Sequence, residues 1–195
     1  HEKGGLPFWS WANQPVQGIT GPSRPLGFSF TDGATEGQQI LALNGGIIVR
    51  GQAGVEGAVA AGGFVFIGTD TAAEDDLWRF YNVKRGRDYI HLQMLRTLKF
   101  YLGRFNITTQ TIEAILQTMA EILRNLEAQQ AIIDFRVGFT PSQNDPSNLR
   151  AGKFTVDFKA EEAPVLRKLT INSARFLSAF DKLLSDLSAQ LDSVV

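Results

Sequence analysis

The sequence contains no cysteine and only two histidines, His1 and His91, among its 195 residues. Without thiols the chain has no disulfide, no thiolate zinc site and no cysteine nucleophile. Two histidines are too few for most transition-metal sites, so the composition does not favour a transition-metal site. We expect no cofactor. The absence of cysteine is also compatible with assembly in a reducing cytoplasm.

The chain also carries little net charge and has no long apolar run. The formal net charge is -1, which does not favour nucleic acid or an acidic membrane as a partner. No apolar run approaches the roughly 20 residues of a membrane span, and no signal segment opens the chain. The first residue is not methionine, from which we expect a fragment that has lost an amino-terminal part. With 44% apolar residues, the chain can bury a core in one domain or two small ones.

The clearest pattern that is present is a period-two alternation, which occurs twice between residues 131 and 160. Its apolar members are Ile133, Phe135, Val137 and Phe139, then Phe154, Val156, Phe158 and Ala160. The intervening stretch 140–152 holds two prolines, two asparagines and a terminal glycine, which is typical of a long connection. The sequence therefore predicts an antiparallel hairpin.

Two apolar stripes with helical spacing precede this hairpin. The first comprises His91, Met94, Leu95, Leu98, Tyr101, Leu102 and Phe105; the second comprises Ile112, Ile115, Leu116, Met119, Ile122, Leu123 and Leu126. Thr108 or Thr109 can cap the second helix. Since a two-stranded ribbon is marginal alone, we expect both helices to cover its apolar face.

The amino-terminal third is rich in glycine and proline. Its closely spaced prolines predict an extended, packed loop over 1–30. A short capped helix is expected within 31–44, short strands at 47–50 and 64–67 joined by the glycine-rich connection 51–63, and a third strand at 78–83.

Beyond the hairpin we expect one more strand at 165–171 and a last helix capped by Asn172. The seam of that helix is Phe176, Phe180, Leu183, Leu187 and Leu191. This near-heptad line is either packed on the body or offered to a partner helix.

The predicted fold class is α+β, with an antiparallel or mixed sheet. A long-strand hairpin is covered on one face by two amphipathic helices, and a carboxy-terminal helix follows. The expected divisions are 1–85, the glycine- and proline-rich portion with short strands; 86–171, the helix-helix-hairpin domain; and 172–195, the terminal amphipathic helix.

Catalytic patterns are weak throughout. The acidic run of Asp70, Glu74, Asp75 and Asp76 lacks calcium-loop spacing and is better explained as a solvated turn. His91 lies on an apolar stripe, where a hydrogen-bonded core histidine is favoured over a general base. No GxSxG elbow or dinucleotide fingerprint is present.

One carboxylate pair is conceivable, since Asp134 and Asp157 lie on the polar face of the two predicted hairpin strands. Basic residues share that face, so alternating surface charges explain both better. We therefore expect no catalytic residue and no enzyme.

Interaction is the better-supported role. A hairpin with helices on one face leaves edges whose backbone groups are unpaired, and such an edge invites pairing with another chain. We expect the strands that carry Ile133, Phe135, Val137, Phe154, Val156 and Phe158 to take part in pairing between copies. Head-to-tail pairing of this kind builds rings or open helices.

A basic run is the second candidate interaction surface. Lys84, Arg85 and Arg87 are extended by Arg96, Lys99 and Arg104, with Asp88 as the one acid among them. The run could meet phosphate or an acidic protein surface. A protein surface is favoured, because the nearby aromatics belong to the buried stripe rather than alternating with the cations.

Several segments resemble one family in order and spacing. They are Ser10-Trp11-Ala12-Asn13, Gly18-Ile19-Thr20-Gly21, Gly68-Thr69-Asp70-Thr71, Leu77-Trp78-Arg79-Phe80-Tyr81-Asn82-Val83-Lys84-Arg85 with Asp88-Tyr89-Ile90, and the loop 144–153 with Leu149 and Gly152. Together they resemble the carboxy-terminal part of contractile phage tail sheath proteins, nearest to those of Mu-like phages and prophages. The resemblance covers about residues 1–171. Trp11 replaces a usual proline, and the terminal helix extends past the family's usual end.

The resemblance implies a structural subunit that polymerises around a tail tube by strand exchange and contracts to drive the tube through the host envelope. Implied partners are other sheath subunits, the tube protein, and baseplate and tail terminator proteins, with Lys84, Arg85 and Arg87 as tube contacts. The implied location is the virion tail, after assembly in the host cytoplasm. Alternatives are the sheath of a related secretion or bacteriocin-like particle, a hydrolase using Asp134 or Asp157, and an oligomeric binding module joined through the last helix.

Overall fold

The computed structural model describes residues 6–16, 18–50 and 63–192. Its regular elements are β1 (Gln14–Val16), α1 (Glu36–Ala42), β2 (Ile47–Val49), β3 (Phe64–Ile67), α2 (Tyr81–Leu98), α3 (Thr109–Ala128), β4 (Ile132–Gly138), α4 (Pro146–Arg150), β5 (Asp157–Glu162) and α5 (Ala179–Asp192), with a short 3₁₀ turn at Pro141–Gln143. The α+β class is confirmed. Residues 51–62 of the connection predicted over 51–63, and His1, lie outside the described residues.

The chain divides into two compact units, His1–Val165 and Leu166–Val195. Helix α2 runs continuously through residue 86. The predicted three-part division with boundaries at 85 and 171 stays a prediction.

A small antiparallel sheet in the order β1-β3-β2 occupies the amino-terminal part of the first unit. Its inner face packs Phe28 and four strand residues against α1; the strand residues are Ile47, Val49, Val65 and Ile67. The strands predicted at 47–50 and 64–67 and the helix within 31–44 are confirmed. The edge strand β1 was missed, because it is only three residues long with a proline at its centre and so carries no alternation.

The third strand predicted at 78–83 is wrong, since α2 already begins at Tyr81. The buried face of this helix runs through Asn82, Gly86, Ile90 and Met94, which are four residues apart. Two of these residues are not apolar, so the hydrophobic pattern does not show the first turns. Only a single bridge, between Asp70 and Phe80, remains of strand pairing here.

The hairpin of β4 and β5 is confirmed, and α2 and α3 cover one of its faces. The shared core contains Ile90, Met94, Met119, Leu123 and Ile132, among others. Hairpin residues partly buried against it are Phe135, Val137, Val156, Phe158 and Ala160. Thr108 caps α3 by accepting a hydrogen bond from the Thr111 N–H.

Two details of the predicted hairpin are wrong. A register shift between Ile132 and Asp134 turns Ile132 into the core and leaves Ile133 60% exposed. Phe154 and Val156 precede β5 rather than belonging to it. Here the side-chain amide of Asn144 bonds both the N–H and the carbonyl of Thr155, and so occupies the groups that a longer ladder would need.

The second unit is a stretch without regular secondary structure followed by α5. No strand forms at 165–171, where one was predicted, because no neighbouring strand in the described chain pairs with it. The last helix begins at Ala179 rather than after Asn172, so Phe176 lies before it. Asn and Ser side chains in 172–178 favour non-helical backbone, and short helices gain little without packing.

Candidate functional site

The described residues do not gather reactive side chains at one place. Within them, no group of three or more acidic, His or Cys side chains is arranged to hold a metal ion. None of the described helices is long and apolar enough to cross a membrane. In the acidic turn, Asp75 accepts from the Leu77 N–H and Asp76 pairs with Arg79.

The carboxylate pair considered for hydrolysis does not form. In the hairpin register, Asp134 lies opposite Glu161 and Asp157 lies opposite Gly138, so the two aspartates are at different ends of the ladder. Asp157 instead accepts a hydrogen bond from Thr140 Oγ1 at 2.7 Å. His91 was expected in the core and is exposed, with its ring edge-on to Phe158 at 5.7 Å between centroids.

The outer edges of the hairpin are the first candidate surface. Among the described residues, β4 and β5 pair only with each other. The Phe135 N–H donates to its neighbour Asp134, and the Ala160 carbonyl accepts from Arg87 Nη2. Phe135 and Ala160 are register partners, so we infer that both backbone groups point away from the ladder, as in a non-hydrogen-bonded antiparallel pair.

Because that geometry repeats at every second residue, the backbone groups of Val137 and Phe158 also point outward. Three of the residues predicted for pairing between copies, Phe135, Val137 and Phe158, therefore direct their N–H and C=O groups to the edges, and the Phe135 N–H is already bonded to Asp134. Of the other three, Ile133 lies at the irregular position, and Phe154 and Val156 precede the strand.

A buried ion pair fixes the hairpin to α2. The Arg87 side chain is 17% exposed and that of Glu162 is 3% exposed. Arg87 Nε and Nη2 donate to the two carboxylate oxygens of Glu162 at 2.6 and 2.8 Å, and the guanidinium lies against the rings of Trp78 and Phe158. This bidentate pair corrects the expectation for Arg87, whose charge is used within the subunit rather than offered to a tube.

Lys84 and Arg85 remain on the surface at the start of α2. Lys84 Nζ pairs with Asp88 at 3.1 Å, and both side chains are more than half exposed. The Arg85 guanidinium lies 4.7 Å from the ring centroid of Trp11, a cation–π distance. Arg85 therefore presents a positive charge on an aromatic platform at the surface.

Tertiary contacts bring the segments of the family resemblance together. Tyr81 Oη accepts from the Trp11 N–H at 2.8 Å and bonds Ser10 Oγ at 2.6 Å. Asn82, which is 2% exposed, donates from Nδ2 to the carbonyls of Phe8 and Ala163 at 3.0 and 3.1 Å. One turn of helix thus holds both the amino-terminal segment and the exit from β5.

Two glycines in the segments of the family resemblance or on α2 allow close approach of other parts of the chain. A Cβ on Gly68, which has φ +149°, would lie 2.8 Å from the Cα of Gly46. A Cβ on Gly86 would lie 2.5 Å from the Phe8 ring, so only glycine lets this ring rest on α2. The sequence offered no signal for either contact beyond the glycines themselves.

Within the described chain the hairpin edges carry no partner strand, and the large apolar side chains between residues 166 and 187 are exposed. These two features define the class of protein as a structural assembly subunit. The family model described as "Phage tail sheath C-terminal domain" matches residues 73–174, more than half of the chain, and the chain belongs to this family. The resemblance drawn from the motifs is thereby confirmed.

Three curated relatives are tail sheath proteins by name. They are a prophage major tail sheath protein of Pseudomonas aeruginosa strain UCBPP-PA14 (27% identical over 80% of this chain and 38% of the relative), the sheath of Escherichia phage P2 (26%, 93% and 42%) and that of Burkholderia phage BcepMu (27%, 84% and 33%). The chain spans about two fifths or less of the length of these relatives.

Solved structures show the same fold at low identity. The contracted helical sheath of the anti-feeding prophage matches 88% of this chain and 45% of that one with a TM-score of 0.64 and 18% identity. The contracted sheath of the PVC extracellular contractile injection system matches 60% and 34% with a TM-score of 0.54 and 15% identity.

Proposed function

We propose that this chain forms part of the sheath of a contractile phage tail. Its subunits polymerise around the tail tube by exchanging strands, and contraction of the polymer drives the tube through the host envelope. The sheath belongs to the virion tail and assembles in the host cytoplasm. Family membership supports the structural role, and the open hairpin edges support the mode of assembly.

The strand exchange is supported by two features of the described chain: a hairpin with unpaired edges and a strand-like segment without a partner strand. The hairpin has outer edges that no described strand covers, while the stretch 166–171 is strand-like in sequence and forms no strand. Leu166, Leu169 and Ile171 are 72–80% exposed in it. We name this stretch the arm. Added to the hairpin of a neighbouring copy, the arm would gain main-chain hydrogen bonds and a cover for Leu169 and Ile171, which share one face of a strand.

Strand exchange also suits a sheath that changes shape. Backbone pairing at an edge can survive rotation of one rigid body against another when the connection is extended. The energy would be stored in a metastable extended lattice, without nucleotide hydrolysis. Baseplate and tail terminator proteins would bound the polymer at its two ends.

The surface proposed to meet the tube is the pair Lys84 and Arg85. Both are exposed at the start of α2. Lys84 shares its charge with Asp88 in an exposed pair, and the positive charge of Arg85 suits an acidic partner. Charge reversal of both residues should weaken attachment of sheath to purified tube in a pelleting assay. Unchanged attachment would refute this contact without touching the strand exchange.

The alternative particle is a contractile injection system outside phage tails. It is favoured by the fold match to sheaths of the anti-feeding prophage and the PVC particle. Genes for a capsid and DNA packaging beside this one would favour a phage tail, and genes for injected toxins without them would favour the alternative.

Proline substitution tests the arm. Neighbouring residues of a strand direct their N–H groups to opposite sides, so the double change Leu169→Pro with Thr170→Pro removes one donor from whichever side is paired. The protein, expressed with any sequence that adjoins this chain in its gene, should form tubes or rings by electron microscopy, and this variant should not.

The matched control is Ser173→Pro with Ala174→Pro, which places the same two prolines just beyond the arm. It should assemble like the unchanged protein. Circular dichroism should show the same helix content in both variants. Tubes formed as readily by the Leu169→Pro, Thr170→Pro protein would refute strand exchange through the arm.

A further inference from the structure

An apolar groove lies beside the hairpin in the first unit. The second half of α2, the turn after it, the first half of α3 and the segment 152–158 enclose about 720 Å³. Several apolar side chains of this region are open to solvent: Leu95 is 65% exposed, Leu102 75% and Phe105 48%. Exposed apolar surface of this kind typically marks a docking site.

The charged side chains that line the groove have one sign. Among the described residues that line it, the charged side chains are Lys99 and Lys153, and no aspartate or glutamate belongs to the lining. A matching occupant is therefore apolar on one face and acidic at the borders of that face.

The last helix of the same chain has these properties. Its residues Phe180, Leu183, Leu184 and Leu187 are 50–67% exposed and follow helical spacing, so they form one apolar stripe. At 100° per residue, Asp181 and Asp186 fall on opposite borders of the stripe, about 110° from its centre, whereas Lys182 falls on the far side. The acidic groups thus flank the face that would enter the groove.

We propose that helix α5 of one copy docks in this groove of a second copy, with Asp181 and Asp186 near Lys99 and Lys153. The mode is an amphipathic helix laid in an apolar groove. Alone, a helix of 14 residues is marginal in water, and docking would supply the packing that it lacks.

The choice of a second copy rests on the strand exchange proposed above. The arm at 166–171 precedes α5 by only seven residues, a span of at most about 25 Å when fully extended. Residues 153–158, which lead into and begin β5, form one wall of the groove. An arm paired with a neighbour's hairpin would therefore carry α5 to the groove of that same neighbour.

Disulfide trapping tests the contact cleanly, because the chain has no cysteine of its own. One protein carries Leu102→Cys and a second, isotope-labelled protein carries Leu183→Cys. Both positions are more than half exposed, so folding should be unaffected. A disulfide needs Cα atoms within about 7 Å, and after mild oxidation of the mixture we expect labelled–unlabelled dimers by mass spectrometry.

The control replaces Leu183→Cys by Ser185→Cys, which lies on the opposite side of the same helix. It should give at least about tenfold less mixed dimer, because its sulfur points away from the groove. Changing Lys99→Glu and Lys153→Glu should lower the yield of mixed dimer about fivefold, and adding Asp181→Lys with Asp186→Lys to the other protein should restore it.

The failures of the two proposals look different. Tubes that form without any mixed dimer would overturn the helix docking and leave the strand exchange standing. Mixed dimers in a protein that never forms tubes would support the docking and count against the proposed sheath function. A protein with both cysteines on one chain that closes only an internal disulfide, without dimers, would show docking within one copy and overturn the inference.

Discussion

The ion pair between Arg87 and Glu162 gives the sharpest test of the structure. The change Arg87→Met removes the guanidinium and keeps an apolar stem of similar length. It leaves the Glu162 carboxylate, 3% exposed, without its bidentate partner. Removing one member of a buried pair costs about 3–5 kcal/mol, since the remaining charge stays desolvated.

That loss converts to a change in melting temperature. For the 165-residue unit that contains the pair, an unfolding entropy of about 2.1 cal/mol/K per residue gives a fall of roughly 9–14 °C. Thermal unfolding followed by circular dichroism measures it, and urea denaturation should give the same ranking. The double variant Arg87→Met, Glu162→Met should recover most of the loss, because it leaves no buried charge.

The neighbouring surface pair supplies the control. Lys84 and Asp88 lie on the same helix with both side chains more than half exposed, and Lys84→Met should cost about 0.5 kcal/mol or less. If the melting temperature of Arg87→Met lies within about 2 °C of that of the unchanged protein, the pair does not hold α2 to β5. The same conclusion would follow if the double variant were no more stable than Arg87→Met alone.

Three further substitutions probe the contacts made by the segments of the family resemblance. Asn82→Ala should lower the free energy of unfolding by about 2–4 kcal/mol, because two carbonyls lose their donor. A loss below about 1 kcal/mol in urea denaturation, the value of one ordinary hydrogen bond, would show that Asn82 does not hold the amino-terminal segment and the exit from β5 together. Gly68→Ala should lower the free energy of unfolding by about 1–3 kcal/mol through its contact with Gly46. At Gly138 an added Cβ would meet no other atom, so Gly138→Ala should unfold at the same urea concentration as the unchanged protein. Tyr81→Phe should cost about 1 kcal/mol by loss of its hydroxyl contacts; an unchanged melting temperature would argue that water replaces them.

Much of the carboxy-terminal half could be predicted because its patterns are local. Alternation of apolar and polar residues requires a strand with one covered face, and the stripe of α3 requires a helix with one covered face, whatever packs on them. The two patterns together also imply that the helices cover the hairpin, since neither apolar face is stable in water. The same reasoning located α1 and the strands β2 and β3.

The candidate surfaces were only partly visible in the sequence. A run of basic residues is the same in sequence whether its charges face solvent or an internal carboxylate. Arg87 and Glu162 are 75 positions apart, so their pairing depends on how α2 crosses β5. For the same reason the sequence grouped Arg87 with Lys84 and Arg85, although its charge is used inside the subunit.

The sequence by itself determined the elements whose signal lies within one helix turn or one strand: the hairpin, the helix over it and the family motifs. Tertiary structure alone decided the start of α2, where Asn82 and Gly86 are buried for their contacts rather than their hydrophobicity. It also decided that 165–171 forms no strand, because a strand needs a partner whose position no local pattern encodes. Backbone pairing requires two segments, and the residues of one segment determine only its propensity to form a strand.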